Sequence, residues 1–393
     1  MRKIDRRRAF LEAGALSAAA LCFAPRAKSA PAWEGFDELY LKPPWFPDGR
    51  RFLEEAPPEI ATGGRLRLGV FREPCRNMNL DQARVFAGGE LRWWGAPKLQ
   101  EWVGYGLAHQ HRYFGMIIMD LKLRNFASVY ALDRRSGKTF FHDAIGSGKN
   151  SGVAKTSWSG RTYMDKKGFK MEFIHDLDHG RHRIKIDIAG KKDKPGVQMD
   201  LLLHQDRQSF QPLVVSMPIE PRHYMYTHKA MMNVEGSAEI GDERIQYDPR
   251  IHLAAMDEFK SFWPVPKRWT WGTAEGKDQS GRPIALNLVD YYTRDQEWWN
   301  ENCCWSDGKM SLLGPVQWEL DLKDPIKPWR VRERSGRAEA TFFPEGGKIM
   351  DLSPIPFKYY QKCGRYEGFV IDDQGQKHEF HNLYGPAENG RIG

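Results

Sequence analysis

Arg183-Ile184-Lys185-Ile186-Asp187-Ile188 alternates charged and apolar side chains without a break. Successive side chains of an extended strand point to opposite faces, so this period of two sets three isoleucines on one face and three charges on the other. Residues 197–204 (VQMDLLLH) repeat the alternation, and so does Arg65-Leu66-Arg67-Leu68. Residues 114–120 (FGMIIMD) read as a continuous apolar strand that 128–133 (SVYALD) answers, and a turn with Ser136-Gly137 follows. Residues 367–370 and 377–380 flank Asp372-Asp373-Gln374-Gly375, a hairpin signal. Helical periodicity is confined to two short segments, 81–86 and 292–300. Short strands spaced by 37 Gly and 24 Pro predict an all-β sandwich or barrel. A chain of 393 residues is long enough for two such units, and we place them at 33–235 and 236–393, divided at Glu235-Gly236.

Residues 1–32 read as an export signal. Arg2, Lys3, Arg6, Arg7 and Arg8 make a positive start, a short apolar stretch runs from Ala13 to Ala24, and small residues suited to cleavage follow. Arg7-Arg8-Ala9-Phe10-Leu11 matches the twin-arginine pattern. The expectation is a protein that crosses folded through the twin-arginine translocase and works in the periplasm. The apolar stretch is too short to span a bilayer, and no later run approaches the roughly 20 residues needed. No integral membrane segment is therefore expected after cleavage.

The formal charge of +8 belongs largely to the leader. Residues 1–30 carry seven basic and two acidic side chains, which leaves 52 against 49 on the rest. No basic block remains to neutralise a row of phosphates, so nucleic acid is not an expected partner. Beyond the leader the cysteines are Cys75, Cys303, Cys304 and Cys363, too few for a disulfide scaffold and without a CxxC spacing.

Each chemistry-bearing candidate has a structural alternative. His175-Asp176-Leu177-Asp178-His179-Gly180-Arg181-His182 is rich in metal-ligating types, but Gly180 marks a turn and alternation turns His175 and Asp176 apart. A solvated hairpin end is the better reading. His109 and His111 share a face without an identifiable third ligand. Phosphate-loop, dinucleotide and nucleophile-elbow motifs are absent, and no metal or cofactor is called for. The second half is richer. Asp257 follows an apolar strand among Phe259, Phe262, Trp263, Trp269 and Trp271; Asn287 ends another strand; Glu301 follows Trp298-Trp299. Carboxylates set among tryptophans can have raised pKa values and act as general acids. The alternative is that the tryptophans fill cores and the carboxylates cap turns.

The runs Trp269-Thr270-Trp271-Gly272, Pro283-Ile284-Ala285-Leu286-Asn287-Leu288, Glu301-Asn302 with Asp307-Gly308-Lys309, and Pro328-Trp329-Arg330 occur in an order that resembles the bacterial family catalogued as domain of unknown function 2804. Gly364-Arg365-Tyr366-Glu367-Gly368 and Asn382-Leu383-Tyr384-Gly385-Pro386-Ala387-Glu388 resemble its closing segment, and Tyr226-Thr227-His228-Lys229 fits upstream. In architecture that family is similar to tandem lipocalin-like proteins, which include carotenoid 1,2-hydratases. The resemblance implies two lipocalin-like β-barrel domains packed side by side with an apolar cavity.

Three functions stay open at this point. One is an exported lyase or isomerase, hydratase-like, acting on an apolar small molecule such as a terpenoid or aromatic. Asp257 would then be the general acid of first choice and Glu301 of second, with Trp269, Trp271 and Trp329 lining the cavity and Asn287, His228 and Lys229 orienting water or a substrate oxygen. The second is a periplasmic carrier for a lipid-like ligand. The third is a carbohydrate-active protein, for which tryptophans and paired carboxylates also serve.

Overall fold

The structure is a computed structural model and describes residues 35–46, 51–86, 99–122, 124–205, 210–263, 267–291, 295–351 and 357–392. The export-signal reading of residues 1–32 lies outside them, as does part of the helical candidate at 292–300. Among the described residues the chain is almost all β-strand, with one α-helical turn, Phe36–Leu39. The helical pattern at 81–86 resolves into two 3₁₀ turns, Leu80–Gln82 and Arg84–Phe86.

Two large sheets carry the fold. The first is a nearly closed barrel. Its path runs Ser151–Gly152, Gly160–Lys166, Phe169–Asp176, Arg181–Ile188, Val197–His204, His223–Ile240, Leu253–Phe262, Gln100–Ala108, Arg112–Asp120, Asn125–Asp133 and Thr139–Gly146. The second is a half-barrel ordered Lys309–Leu312, Cys303–Ser306, Pro283–Tyr291, Lys267–Lys277, Lys377–Ile392, Phe357–Ile371, Ala338–Asp351, Trp329–Glu333 and Val316–Glu319. The all-β, two-unit lipocalin-like architecture is thus what the molecule adopts.

The strand periodicity behaves as the sequence requires. Arg181–Ile188 alternates strictly between exposed and buried, with Ile184, Ile186 and Ile188 inside the barrel. The apolar strand Arg112–Asp120 pairs with Asn125–Asp133, setting Phe114 opposite Ala131. The late hairpin forms as well, with Gly375 at φ +79° in its turn.

The changeover between the sheets falls between Phe262 and Lys267, not at Glu235-Gly236. Those two residues lie inside His223–Ile240, where they pair with Leu202 and Leu201. Gly236 marks a close backbone approach within the strand. Its φ is +117°, and a Cβ there would lie 2.2 Å from the Asp200 carbonyl oxygen. An isolated glycine in a strand signals such a close backbone approach as readily as a boundary. The corrected changeover moves Asp257 onto the first sheet.

Candidate functional site

Two adjacent strands of the barrel build the polar centre. Lys229 on His223–Ile240 is the direct antiparallel partner of Asp257 on Leu253–Phe262. Both face outward from the barrel, toward the half-barrel. The Lys229 ammonium donates to Asp257 Oδ1 at 2.6 Å and lies 3.5 Å from Glu301 Oε1. It also sits 5.2 Å from the Trp271 ring centroid, within cation–π range. The Trp102 indole donates to Asp257 Oδ2 at 3.1 Å, so each Asp257 oxygen has one donor. The Trp102 ring is held by stacking on Phe259 at 4.1 Å between centroids.

The half-barrel supplies the facing wall. Trp271 donates through its indole to Asn287 Oδ1 at 2.8 Å, and the Asn287 amide donates to the Glu301 carbonyl at 2.8 Å. Sequence reasoning grouped Asp257, Trp271, Asn287 and Glu301, and the fold brings these four together through Lys229. Their placements differ from one another, however. Asp257, Lys229, Trp271 and Asn287 line an open cleft between the two sheets, whereas Glu301 is fully buried behind Lys229. Burial raises the Glu301 carboxyl pKa, Lys229 opposes that, and the Asp257 charge adds to it. The Tyr291 hydroxyl donates to Glu301 Oε1. Burial likewise works against the Lys229 charge, but the carboxylates of Asp257 and Glu301 outweigh it and hold the ammonium above its usual pKa.

The cleft holds roughly 620 Å³ of space free of protein atoms, part of it open to solvent. Its remaining lining is mostly apolar and aromatic, including Tyr113, Met116, Ile117, Tyr130, Met231, Ala255 and Trp305. Glycines shape its floor: a Cβ on Gly115 would lie 2.1 Å from the Tyr130 ring, so that ring can lie flat across bare backbone. The apolar space sits between the sheets, not inside the carboxy-terminal unit alone.

Besides Glu301, three of the expected site residues stand apart from the cleft lining. Trp269 borders it indirectly, donating to Glu388 Oε2 at 3.4 Å. His228 precedes Lys229 on the same strand and therefore points the other way, into the barrel. There it pairs with Glu258, the neighbour of Asp257, at 3.2 Å, and contacts Ser157 at 3.2 Å and Gln205 at 3.0 Å. Burial would raise Glu258, but the His228 hydrogen bond and the Lys260 charge hold it down at about 2. Trp329 is fully buried in the half-barrel core against Phe342, its indole donating to the Pro325 carbonyl at 3.1 Å. It is a core tryptophan.

Sequence reasoning missed Glu388, Trp102 and Trp305. Glu388 reaches the cleft from Lys377–Ile392. Its Oε1 accepts from the Tyr359 hydroxyl at 2.7 Å and from the Gln361 amide at 2.9 Å. Burial raises its pKa, the three donors oppose that, and the Asp257 charge adds to the rise. The signal was present, since Glu388 ends the closing motif Asn382-Leu383-Tyr384-Gly385-Pro386-Ala387-Glu388.

Elsewhere, His175 and His182 face each other inside the barrel, and burial lowers their pKa values to about 3 and about 4. Asp176 points outward to Arg181, as alternation predicts. His109 stacks on His252 at 5.3 Å. Among the described residues no group of three His, Cys, Asp or Glu is arranged to hold a metal ion. Cys75, Cys303, Cys304 and Cys363 are buried free thiols.

Fold and cleft together define a tandem lipocalin-like protein with a polar centre set between its two sheets. The chain belongs to the family Domain of unknown function (DUF2804), whose profile matches residues 54–392. Similar folds occur in solved structures. A candidate AttH from Nitrosomonas europaea aligns with a TM-score of 0.49 at 15% identity, covering 74% of this chain and 92% of that one. CghA with Sch210972 aligns at 0.51 and 11%, covering 75% and 88%. Kievitone hydratase from Nectria haematococca aligns at 0.47 and 11%, covering 76% and 89%. No curated protein sequence matches the chain.

Proposed function

We propose that the protein is an acid–base lyase or isomerase of the hydratase type, acting on an apolar small molecule such as a terpenoid or aromatic held in the cleft between the sheets. One observation carries this reading: an ion pair, Lys229 with Asp257, opens into a space walled mostly by aromatic and aliphatic side chains. An apolar ligand needs few polar groups for binding, so a charged pair at its wall is placed for chemistry. In hydration a proton adds to one carbon of an alkene, water attacks the other, and a proton leaves that water for a base. Asp257, hydrogen-bonded to the Lys229 ammonium, is fitted to accept that proton, which reverses the general-acid role expected of it from sequence. Glu301, sealed behind Lys229, acts as a positioning residue.

The mostly apolar lining argues against the carbohydrate reading. A carrier for a lipid-like ligand shares the same cleft, and the experiment separates the two. The purified protein is incubated with a panel of apolar alkenes and tertiary or allylic alcohols in ¹⁸O-labelled water, and the products are read by mass spectrometry. Label in recovered alcohol, or an alkene formed from an alcohol, supports the enzyme. A ligand that stays bound in native mass spectra and is recovered unchanged supports carriage. We further propose export through the twin-arginine translocase to the periplasm, which rests on Arg7-Arg8 and the short apolar run after them. Replacing both arginines by lysine is expected to leave the full-length chain in the cytoplasm.

A further inference from the structure

Among the described residues, three polar groups that the proposed chemistry does not use directly bear comparison. The His228, Glu258 and Lys260 network inside the barrel is closed by its own hydrogen bonds. His378 ties Asp278 to Asp372 and so joins two turns of the half-barrel. Glu388 differs from both, because it lines the cleft from the sheet opposite Asp257.

Resting on the lyase or isomerase reading, we infer that Glu388 is the general acid of the site, delivering a proton from Oε2 to the substrate while Asp257 on the facing sheet takes one from water. The geometry gives the two oxygens of Glu388 different tasks. Oε1 is occupied by two donors, Tyr359 and Gln361. Among the described residues Oε2 has only the long indole contact from Trp269 at 3.4 Å, which leaves it the oxygen placed to carry a proton. Asp257, by contrast, has both oxygens engaged, one by the Lys229 ammonium and one by the Trp102 indole. Two carboxyl groups in one apolar cleft thereby sit in different settings, one salt-bridged and one with an oxygen left over, the pattern that divides acid from base in enzymes.

The step balances. The Oε2–H bond breaks and a C–H bond forms as the alkene π bond opens. Water bonds to the neighbouring carbon and gives a proton to Asp257. Glu388 ends as carboxylate and Asp257 as carboxylic acid, and exchange with solvent resets both. Run in reverse, the same groups remove water from an alcohol.

Infrared titration of the substrate-free protein tests the protonation state without a known substrate. The carboxylic-acid band lost in Glu388→Gln, found by difference from wild type, is expected to titrate above the free glutamate value of about 4.3. Tyr359→Phe removes a donor that favours the charged form and is expected to move that band's titration to higher pH. In turnover with a substrate from the panel, Glu388→Gln is expected to lose about 10²–10⁴-fold. Tyr359→Phe is expected to shift the alkaline limb of kcat/KM upward, because a general acid must stay protonated. A Glu388 band that titrates at or below the free value overturns the inference. So does a Glu388→Gln enzyme that keeps wild-type turnover and the same alkaline limb. If Asp257→Asn is inactive while Glu388→Gln is active, only this inference fails. If both variants turn over at the wild-type rate, the lyase or isomerase reading itself fails.

Discussion

Lys229 and Asp257 face each other across two paired antiparallel strands, 2.6 Å apart, with Glu301 packed behind the lysine. Lys229 is buried, so its charge is tolerated only because two carboxyl groups share it. Replacing Lys229 by Met leaves buried carboxylate without its partner, and breaking such a pair costs about 3–5 kcal/mol. Urea denaturation is expected to show that loss. Adding Glu301→Gln to Lys229→Met is expected to recover part of it, because the second change removes one of the stranded groups.

Trp271 and Trp329 look alike in sequence and are expected to behave oppositely. Trp329→Ala empties a fully buried core site and is expected to cost about 3–5 kcal/mol. Trp271 is half-buried at the cleft wall, so Trp271→Ala is expected to cost less stability and to weaken binding of a neutral apolar fluorophore such as N-phenyl-1-naphthylamine. Parallel denaturation and fluorescence titration of the two variants check the contrast. Equal effects in both measurements would contradict it.

Glu275, buried at the seam between the sheets, gives a pH test. Burial raises its carboxyl to about 8, and its Oε2 has no hydrogen-bond partner among the described residues. The folded form therefore keeps a proton that the unfolded chain releases above about 4.3. Stability from this group is complete below that value and is lost as pH rises toward about 8. Relative to Glu275→Gln, the wild type is expected to lose on the order of 1 kcal/mol per pH unit across that window. Chemical denaturation of both at several pH values between 5 and 8 reads the difference, and parallel pH profiles would refute it.

How much of this was legible in the sequence depends on whether a local period carried it. Arg181–Ile188 and Val197–His204 declare their buried faces residue by residue, and the late hairpin declares its turn. The same rule places His228 and Lys229 on opposite faces, so grouping them in one site conflicted with a signal already in the chain. Other features have no local signature. Gly236 looks like a boundary and is a close backbone approach inside a continuous strand. Trp329 and Trp271 both sit on strands, and only the pairing of the sheets decides which one meets the cleft. Glu388 and Asp257 are 131 positions apart, and their approach follows from packing of one sheet on the other.

The central claim is that Asp257, beside Lys229, performs chemistry on an apolar ligand in the cleft. Its most direct test is the turnover rate of Asp257→Asn, compared with wild type on a substrate from the panel. Native near-ultraviolet circular dichroism serves as the check on folding. The account predicts a rate lower by about 10²–10⁴-fold with the fold intact. A correctly folded Asp257→Asn protein that works at the wild-type rate would contradict it.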